Sequence, residues 1–418
     1  MLERILDSDN MNRAYLRVKR NHGSGGVDGM SVEELGEYLA AHKDEILQAI
    51  LDGKYRPNPV LRVEIPKDDG KKRPLGIPTA VDRVIQQAIA QVLTPIYEPK
   101  FVETSYGFRP GRSQHDAMRK CLEYIDGGYK YAVDMDLEKF FNTVNQSKLI
   151  EVLSRDIKDG RVISLIHRFL RAGVVVCGKF DETELGVPQG GPLSPLLSNI
   201  LLNELDHELE YRGHRFVRFA DDMVILCKSK RAAQRTLENI TPFIEKKLFL
   251  KVNREKTTVS YVKGVKFLGF SFRMTKDGAA LYVHPKSVAK LKAKIRVLTG
   301  RSNGWGADYR KLKLKQQITG WVNYFKIAGM KKLLHGIDEW MRRRIRALIW
   351  KQWKKVKTKY RNLRRLGVGH NEAFRAANIS KKYWRAANAQ TVLMAITNDL
   401  LRKAGYVFFS EQYQKVRV

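Results

Sequence analysis

The spacing of hydrophobic positions divides the chain into three stretches of different character. Residues 1 to about 100 mix helical periodicity with glycine and proline, and they include a glycine-rich loop at 21–29. From about 101 to 275, short β-prone runs alternate with amphipathic helices, which predicts a mixed sheet backed by helices. Beyond about 280 the pattern is almost wholly helical, with helices predicted at 287–298, 309–327 and 330–366. An α+β region followed by an all-α region is therefore expected.

Carboxylates stand at two places in the β-rich stretch. Alternation along one predicted strand puts Asp134 and Asp136 on the same face. Further along, two β-prone runs flank Asp221 and Asp222, which predicts a hairpin with adjacent acids at its tip. If the strands are neighbours, three carboxylates could hold two Mg²⁺ ions for phosphoryl transfer. Alternation does not choose between Asp134 and Asp136, and an Asp-Asp pair alone is ordinary turn chemistry.

A long glycine and proline run, GVPQGGPLSPLLSNI at 186–200, lies between the two acidic segments. Its glycines would let the backbone approach a flat ligand closely. Ser194 and Pro195 suit the N-cap and first turn of a helix that follows. The buried stripe of that helix is predicted to comprise Leu196, Leu197, Ile200, Leu201 and Leu205. A simple turn before a helix is the alternative, although so long a composite run is more specific.

The balance of charge points to a polyanionic partner. Lys plus Arg number 77 against 44 for Asp plus Glu, a net charge of +33, which predicts nucleic-acid binding. A membrane surface is the other polyanion, but no apolar run is long enough to span a bilayer and the first residues lack a secretory signal. We therefore predict a cytoplasmic protein of bacterial type with no membrane partner. The three cysteines imply neither a disulfide framework nor a zinc site.

The most unbalanced charge lies in the predicted helix 330–366. No carboxylate falls between Glu339 and Glu372. Such a helix repels itself unless an anion neutralises it, so we predict a helix that binds nucleic acid in a groove. The predicted contacts are Arg342, Arg343, Arg346 and Lys354. An ordinary solvated face is the alternative, although such faces normally interleave glutamate.

Taken in order, the acidic strand, the PQGGPLSP loop and helix, and the FADD hairpin resemble the palm of reverse transcriptases encoded by group II introns. Further matching segments are IPK at 65–67 with RPLGIP at 73–78, SYGFRPGRS at 105–113, LKVN at 250–253 with KT at 256–257, and FLGF at 267–270. The segment GWVNYF at 320–325 resembles the maturase-specific thumb. Phe219 stands where the family commonly has tyrosine, a change that spares the metal ligands.

The resemblance implies which residues carry catalysis. Asp136, rather than Asp134, would join Asp221 and Asp222 as ligands of two Mg²⁺ ions, for which Mn²⁺ could substitute. Lys256 would be the general acid for the departing pyrophosphate.

The resemblance also implies nucleotide and nucleic-acid contacts. Lys67 and Arg73 would grip the incoming triphosphate, for which their charges are suited. Phe141 would be a steric gate that clashes with a ribose hydroxyl and favours dNTPs, and Gln189 would lie behind the template-primer and the nucleotide. Nucleic-acid contacts are further implied for Gly25, Arg109 and Arg112. Without the family, the cations would be solvated surface residues and Phe141 a core residue.

The implied fold is a right-hand polymerase of α+β class followed by an all-α thumb. The expected divisions are an N-terminal extension with fingers at 1–100, fingers and palm at 101–280, a helical thumb or maturase domain at 281–366, and a short basic nucleic-acid-binding segment at 367–418. No Cys/His-rich HNH nuclease follows the thumb, so second-strand cleavage is not expected.

The function expected from the resemblance is RNA-directed DNA synthesis combined with binding of the cognate intron to promote splicing and mobility. The expected partners are structured group II intron RNA, an RNA template with a DNA primer, target DNA and dNTPs. Two alternatives stay open. One is an RNA-binding splicing factor with a vestigial polymerase, and the other is a domesticated or retron-type reverse transcriptase.

Overall fold

The computed structural model describes residues 1–66, 70, 72–379 and 382–417. The chain forms two compact units, residues 1–265 and residues 266–418. Lys67, one of the predicted triphosphate contacts, lies outside the described residues. In the part of the chain that is described, no helix combines the length and the apolar character needed to cross a bilayer.

The first unit is a mixture of helices and two sheets. Its helices are α1 (Leu2–Leu6), α2 (Ser8–Arg20), α3 (Leu35–Leu51), α4 (Ala80–Tyr97), α5 (Gln114–Asp126), α6 (Phe140–Thr143), α7 (Gln146–Asp156), α8 (Gly160–Leu170), α9 (Ser194–Tyr211) and α10 (Lys230–Lys246). Its strands are β1 (Val60–Pro66), β2 (Lys72–Ile77), β3 (Tyr131–Met135), β4 (Val174–Val176), β5 (Lys179–Asp181), β6 (Arg215–Phe219), β7 (Asp222–Cys227) and β8 (Thr258–Tyr261).

The sheet that carries the acidic strand has the order β6-β7-β3-β8, and each neighbouring pair is antiparallel. Its apolar side chains, among them Val133, Phe216 and Ile225, are buried in one core with the leucines of α9 and the isoleucines of α10. Burial of a side chain of this size contributes about 1.5–3 kcal/mol. The helices therefore hold one face of the sheet, as the alternation predicted.

The second sheet has the order β2-β1-β4-β5, in which β1 and β4 are parallel and the other pairs are antiparallel. In the register of β1 against β2, Arg73 lies opposite Ile65. Two residues separate β2 from helix α4. Thr79 is the N-cap of the helix, and most of the helix is buried. The β1–β2 hairpin is thereby anchored at its base to the core of the unit.

The glycine and proline run at 186–200 packs against the base of β2. The backbone N–H of Gly76 donates to the carbonyl of Gln189 at 2.6 Å. Gly190 has φ +117°, and an added Cβ would lie 2.1 Å from the carbonyl oxygen of Gly76. A side chain is therefore excluded twice at this position, by conformation and by contact.

Ser194 is not the N-cap that the sequence predicted. It is the first residue of α9, Leu193 is the N-cap, and Pro195 occupies the first turn as expected. The Ser194 hydroxyl donates instead to the carbonyl of Pro188 at 2.5 Å. Helix α9 therefore begins one residue earlier than the capping pattern predicted. The bond from Ser194 links the first residue of the helix to the loop that precedes it.

The second unit is a β-hairpin followed by helices. Its elements are β9 (Phe270–Thr275), β10 (Gly278–Val283), α11 (Pro285–Leu298), α12 (Ala307–Phe325), α13 (Lys331–Gln352), α14 (Val356–Arg365), α15 (His370–Ala377), α16 (Tyr383–Ala386), α17 (Gln390–Ala395), α18 (Asn398–Lys403) and α19 (Phe409–Val416). The hairpin belongs to this unit because Phe270 packs on Phe325 of α12, with ring centroids 4.9 Å apart. The expected division near residue 280 therefore differs from the unit boundary at 265.

The single helix predicted at 330–366 is in fact two helices, α13 and α14. The break falls at Trp353, whose ψ of +51° leaves the helical region. Its ring turns back onto Trp350, with centroids 5.8 Å apart. Periodicity did not reveal the break because neither glycine nor proline marks it.

The segment after residue 367 is a packed part of the second unit. Asp338 of α13 accepts hydrogen bonds from the backbone N–H groups of Phe409 and Ser410 at 2.8 and 2.9 Å, at the start of α19. The hydroxyl of Tyr413 donates to the carbonyl of Ala328 at 2.8 Å. Burial raises the pKa of Asp338. The segment thus completes the core of this unit, a role that its basic composition did not predict.

Substitution at Gly190 tests the close approach of the loop to β2. We expect Gly190→Ala to lower the apparent melting temperature, because forbidden backbone geometry costs about 1–3 kcal/mol and the Cβ would overlap the Gly76 carbonyl. The control is Gly178→Ala, where φ is +80° and no atom lies within 4 Å of the added Cβ. Equal melting temperatures for the two variants would contradict the predicted overlap.

Candidate active site

The acidic hairpin has a two-residue turn, Ala220-Asp221, between β6 and β7. Phe219 pairs with Asp222 across it. Ala220 has φ +58°, whereas Asp221 has negative φ. This pattern of signs matches a type II′ turn, one of the two turns whose twist suits a hairpin. The turn therefore presents Asp221 at its tip and Asp222 at the first position of β7, as predicted.

The register of β3 against β7 brings Asp136 beside this hairpin. Met135 pairs with Met223, so the next opposed positions are Asp136 and Asp222. The backbone N–H of Asp136 donates to the Thr257 hydroxyl at 3.2 Å, and its carbonyl accepts from the backbone N–H of Asn253 at 2.9 Å. Asp136 is thus fixed from both sides, just beyond the end of β3.

One cleft of about 1110 Å³ in the first unit contains the predicted catalytic residues. Its lining includes Asp136, Phe141, Gln189, Asp221, Asp222 and Lys256, together with Pro74, Phe249 and Arg254. Asp134 is not part of the lining and lies within β3, paired with Val224 and Thr258. The two acids that alternation could not separate are therefore distinguished by their positions along the strand.

Lys256 lies against the first aspartate of the cleft. Its Nζ is 3.4 Å from Oδ2 of Asp136, and both side chains reach solvent. An exposed pair of this type contributes little to stability, about 0–1 kcal/mol. Its importance is positional, because it places an ammonium group beside the carboxylates.

The donor set of the cleft suits a hard divalent cation. Carboxylate oxygens are the ligands that Mg²⁺ prefers, and proteins usually hold it through one or two carboxylates with substrate phosphates completing the shell. Among the described residues, no three His, Cys, Asp or Glu side chains stand arranged so that they could hold a metal ion. Asp136, Asp221 and Asp222 supply the oxygen donors that Mg²⁺ prefers and line one cleft, but they do not form a metal site by themselves, so substrate phosphates would have to complete the shell.

Two of the residues predicted to contact the nucleotide, Phe141 and Gln189, line the same cleft. Phe141, in α6, is largely buried and packs edge-on against Phe140 with centroids 5.3 Å apart. Gln189 is half-buried between the cleft and the base of β2. Arg73 lies in β2, one residue before the cleft-lining Pro74. The nucleotide contacts of these residues stay predictions.

Two of the predicted nucleic-acid contacts, Arg109 and Arg346, are buried structural residues. Arg109 is 7% exposed, and its guanidinium donates to Glu98 and to the carbonyls of Val102 and Ser105. Arg346 is 7% exposed and donates to the carbonyl of Ile396 and to Asn398. The sequence did not predict their burial, because charge alone does not reveal an inward-facing guanidinium, and the nucleic-acid contacts of both residues stay predictions.

The other predicted contacts are more accessible. Arg112 pairs with Glu103, and Lys354 is exposed between α13 and α14. Arg342 lies over the Phe408 ring, and Arg343 donates to the Trp384 carbonyl. The basic face of α13 is therefore partly engaged with the segment that follows it.

The glycine-rich loop near the N-terminus is closely packed. At Gly25 an added Cβ would lie 2.8 Å from the carbonyl oxygen of Gly29, and at Gly26 it would lie 2.7 Å from Cα of Thr79. Arg83 of α4 donates to the carbonyl of Ser24 at 2.8 Å. The backbone geometry alone requires these glycines, so the template contact at Gly25 stays a prediction.

Sequence reasoning missed a buried group of polar residues behind the hairpin. Arg218 of β6 and Asp206 of α9 form an ion pair in which both side chains are 0% exposed. Asn199 of α9 accepts from Arg218 and donates to the carbonyl of Gly107 at 2.8 Å. The available signal was the polar pair Asn199 and Asp206, which lie seven residues apart in an otherwise leucine-rich stripe.

Two family models and several known proteins match this chain. Residues 65–272 match the family described as reverse transcriptase (RNA-dependent DNA polymerase), and residues 288–367 match the group II intron, maturase-specific domain. Protein YkfC of Escherichia coli (strain K12) is 35% identical over 296 residues, which cover 62% of this chain and 77% of YkfC. Group II intron-encoded protein LtrA of Lactococcus lactis subsp. cremoris is 32% identical over 338 residues, covering 63% of this chain and 55% of LtrA.

More distant similarities extend the comparison. The putative COX1/OXI3 intron 2 protein of Saccharomyces cerevisiae is 26% identical over 386 residues, covering 77% of this chain and 44% of that protein. Among solved structures, a partial Cas6-RT-Cas1–Cas2 complex aligns with 25% identity and a TM-score of 0.38, over 59% of this chain and 42% of that chain.

These matches define a reverse transcriptase domain, which is an RNA-directed DNA polymerase and generally uses divalent metal ions, typically Mg²⁺. The chain belongs to the family of group II intron-encoded reverse transcriptases that carry a maturase-specific domain. The α+β class predicted from the hydrophobic pattern is confirmed, as is the helical character of the second unit.

Substitution at Gly107 tests the packing behind the hairpin. An added Cβ would lie 2.2 Å from the backbone nitrogen of Ala220, so we expect Gly107→Ala to displace the turn and to reduce primer extension about tenfold or more, as small misplacements of catalytic groups do. The control is Gly160→Ala, where no atom lies within 4 Å of the added Cβ. A Gly107→Ala enzyme as active as the control would exclude the predicted displacement.

Proposed function

We propose that the chain synthesises DNA on an RNA template by nucleotidyl transfer at the cleft of the first unit, with two Mg²⁺ ions held by Asp136, Asp221 and Asp222. The observation that carries the proposal is that these three acids, distant in sequence, line one cleft with Phe141, Gln189 and Lys256. When bound there, the metal ions would lower the pKa of the attacking 3′-hydroxyl and neutralise charge on the triphosphate.

The chain's own residues supply the remaining chemistry. Asp222 begins β7, and the backbone of Asp136, directly after β3, is held by Thr257 and Asn253, so both carboxylates can hold ligands without reorganisation of the backbone. The ammonium group of Lys256, which lies beside Asp136, would donate a proton to the departing pyrophosphate. Arg73, in β2, would neutralise the triphosphate together with Lys67.

Selection of the sugar is assigned to Phe141. The ring is held by Phe140 and by the buried start of α6, so it cannot easily move aside. Gly186 approaches the backbone of Phe141 closely, since an added Cβ at Gly186 would lie 2.7 Å from the Phe141 carbonyl oxygen. A rigid ring at this point of the cleft would exclude a 2′-hydroxyl and favour dNTPs over rNTPs.

We further propose that the protein binds its structured intron RNA, promotes splicing and acts on target DNA in mobility, in the cytoplasm. Support comes from the match of residues 288–367 to the maturase-specific domain and from the net charge of +33. A splicing factor with a vestigial polymerase is the second candidate. It is less favoured because an acid stands at each matched metal position of the cleft.

Removal of both hairpin acids tests the proposed chemistry. We expect Asp221→Ala/Asp222→Ala to abolish extension of a DNA primer on an RNA template with Mg²⁺ and dNTPs, whereas the wild type extends it. The variant should still bind the RNA–DNA duplex with a steep dependence on salt concentration, because phosphate contacts lie elsewhere.

Two results would count against the polymerase. A wild type that fails to extend any primer, while binding structured RNA tightly, would favour the splicing factor. Residual synthesis by the double variant would remove the hairpin acids from the reaction. The control is Glu245→Gln, an acid that lines the same cleft outside the proposed metal site.

Truncation of Phe141 tests the proposed sugar selection. We expect Phe141→Ala to raise incorporation of rNTPs relative to dNTPs, measured as the ratio of kcat/KM for matched nucleotides, by about 10–200-fold, the discrimination typical of a single apolar contact. Phe249→Ala, at another phenylalanine of the cleft lining, serves as the matched control. Unchanged sugar discrimination in the Phe141 variant would remove that residue from the gate.

A further inference from the structure

The buried ion pair between Arg218 and Asp206 lies at the root of the acidic hairpin. The Nε of Arg218 donates to both carboxylate oxygens of Asp206 at 2.8 and 3.0 Å, and Nη2 donates to the same carboxylate. Its remaining terminal nitrogen, Nη1, donates to Asn199 Oδ1 at 2.9 Å and to the carbonyl of Ala220 at 3.0 Å. One planar guanidinium therefore joins helix α9 to the turn that precedes Asp221.

The turn is held from a second direction by the segment at 104–107. Arg218 is bonded through its backbone on both sides, to the carbonyl of Thr104 and from the N–H of Tyr106, each at 2.9 Å. Gly107 lies flat against the backbone of Ala220, and its carbonyl accepts from Asn199. Asn199 thus links the segment, the helix and the guanidinium.

The held turn contains a strained residue. Ala220 has φ +58°, a region that non-glycine residues occupy only when their surroundings require it. The bond from Arg218 to the Ala220 carbonyl and the contact with Gly107 are such surroundings. Because Asp221 and Asp222 follow Ala220 directly, the conformation at this residue sets the direction of both carboxylates.

Stability alone is a poor explanation of this arrangement. Burial of two charges costs hydration free energy, and their mutual attraction often does not fully offset that cost. A pair of apolar residues of similar volume therefore often gives the same stability or more. An apolar pair could not donate to the Ala220 carbonyl. Lysine could pair with Asp206, but it lacks the fixed fork that reaches three acceptors at once.

We propose that Arg218, held by Asp206 and Asn199, is a positioning residue that fixes the direction in which Asp221 and Asp222 present their carboxylates to divalent cations. This inference deepens the proposed function and rests on it. The network is expected to raise the affinity for the metal ions and the rate of the chemical step. Binding of the nucleic acid should not depend on it, because none of the three side chains lines the cleft.

The decisive variant removes both charges together. Arg218→Met/Asp206→Leu replaces the ion pair by apolar residues and avoids leaving one buried charge without its partner. We expect this variant to fold, to bind an RNA–DNA duplex within about twofold of wild type, and to bind Mn²⁺ about tenfold more weakly. Mn²⁺ binding is measured by electron paramagnetic resonance on the protein alone, with the Asp221→Ala/Asp222→Ala protein as background.

Kinetics provide a second measurement. The Mg²⁺ concentration that gives half-maximal extension should rise about tenfold and kcat should fall about tenfold, while KM for the duplex stays unchanged. Arg218→Lys, which keeps the charge and loses the fork, should behave like the double variant. Full recovery with lysine would show that charge alone matters and would overturn the positioning role.

Two further variants serve as a matched control and as an alternative if the double variant does not fold. Arg212→Met/Glu208→Leu likewise replaces an arginine and an acid by apolar residues, at a partly exposed ion pair at the C-terminal end of α9, and it should match wild type in every measurement. If Arg218→Met/Asp206→Leu does not fold, Asn199→Ala, which leaves the ion pair intact, should still weaken Mn²⁺ binding. Wild-type Mn²⁺ affinity and Mg²⁺ dependence in a folded network variant would overturn the proposal.

The outcomes also separate this inference from the proposed function. A wild type that binds Mn²⁺ at the acids but extends no primer would refute the proposed polymerase activity. The Mn²⁺ affinities of the variants would still test the positioning role of Arg218. A wild type that extends primers, with a folded network variant indistinguishable from it, would refute the network alone.

Discussion

The antiparallel pairing of β3 with β7 is the constraint on which the site depends. It sets Asp136 opposite Asp222, and a slip of one residue would turn every side chain of the strand to the other face. The buried side chains of this sheet oppose such a slip, because it would expose them. On its other edge β3 pairs with β8, which begins two residues after Lys256, so one strand orders both the acids and the ammonium group. The strand register that buries the apolar side chains of the sheet is thus the register that places the acids in the cleft.

The basic residues of the protein fall into two groups, buried and exposed, which composition alone does not distinguish. Arg109, Arg218 and Arg346 are buried and bind carbonyl or carboxylate groups of the chain itself. Others, such as Lys354, remain exposed and are free to meet phosphates. Guanidinium groups suit the buried positions because a planar fork satisfies several acceptors at once. The net charge therefore overstates the surface available to nucleic acid, while the class of partner it indicates agrees with the family.

Local patterns predicted the parts of the site that depend on local sequence. Alternation and turn chemistry were sufficient for β3 and for the hairpin bearing Asp221 and Asp222. Alternation could not choose Asp136 over Asp134, because the choice depends on where the strand ends against the cleft. The network of Arg218 was missed because a strand arginine normally faces solvent, and its partner lies on a helix whose register against the sheet is a tertiary property. The break at Trp353 has the same origin, since the indole leaves the helix to pack on its neighbour.

The anchoring of α19 to Asp338 has a consequence for how the second unit forms. Phe408 and Phe409 are fully buried, and the start of α19 is held by a carboxylate some seventy residues earlier in the chain. During synthesis α13 emerges from the ribosome well before these phenylalanines do, so it must wait with part of its apolar surface uncovered. Chains grow N-terminus first, and exposed apolar surface of this kind promotes aggregation. The core of the first unit, by contrast, is built from residues between 2 and 252, which are synthesised before the second unit.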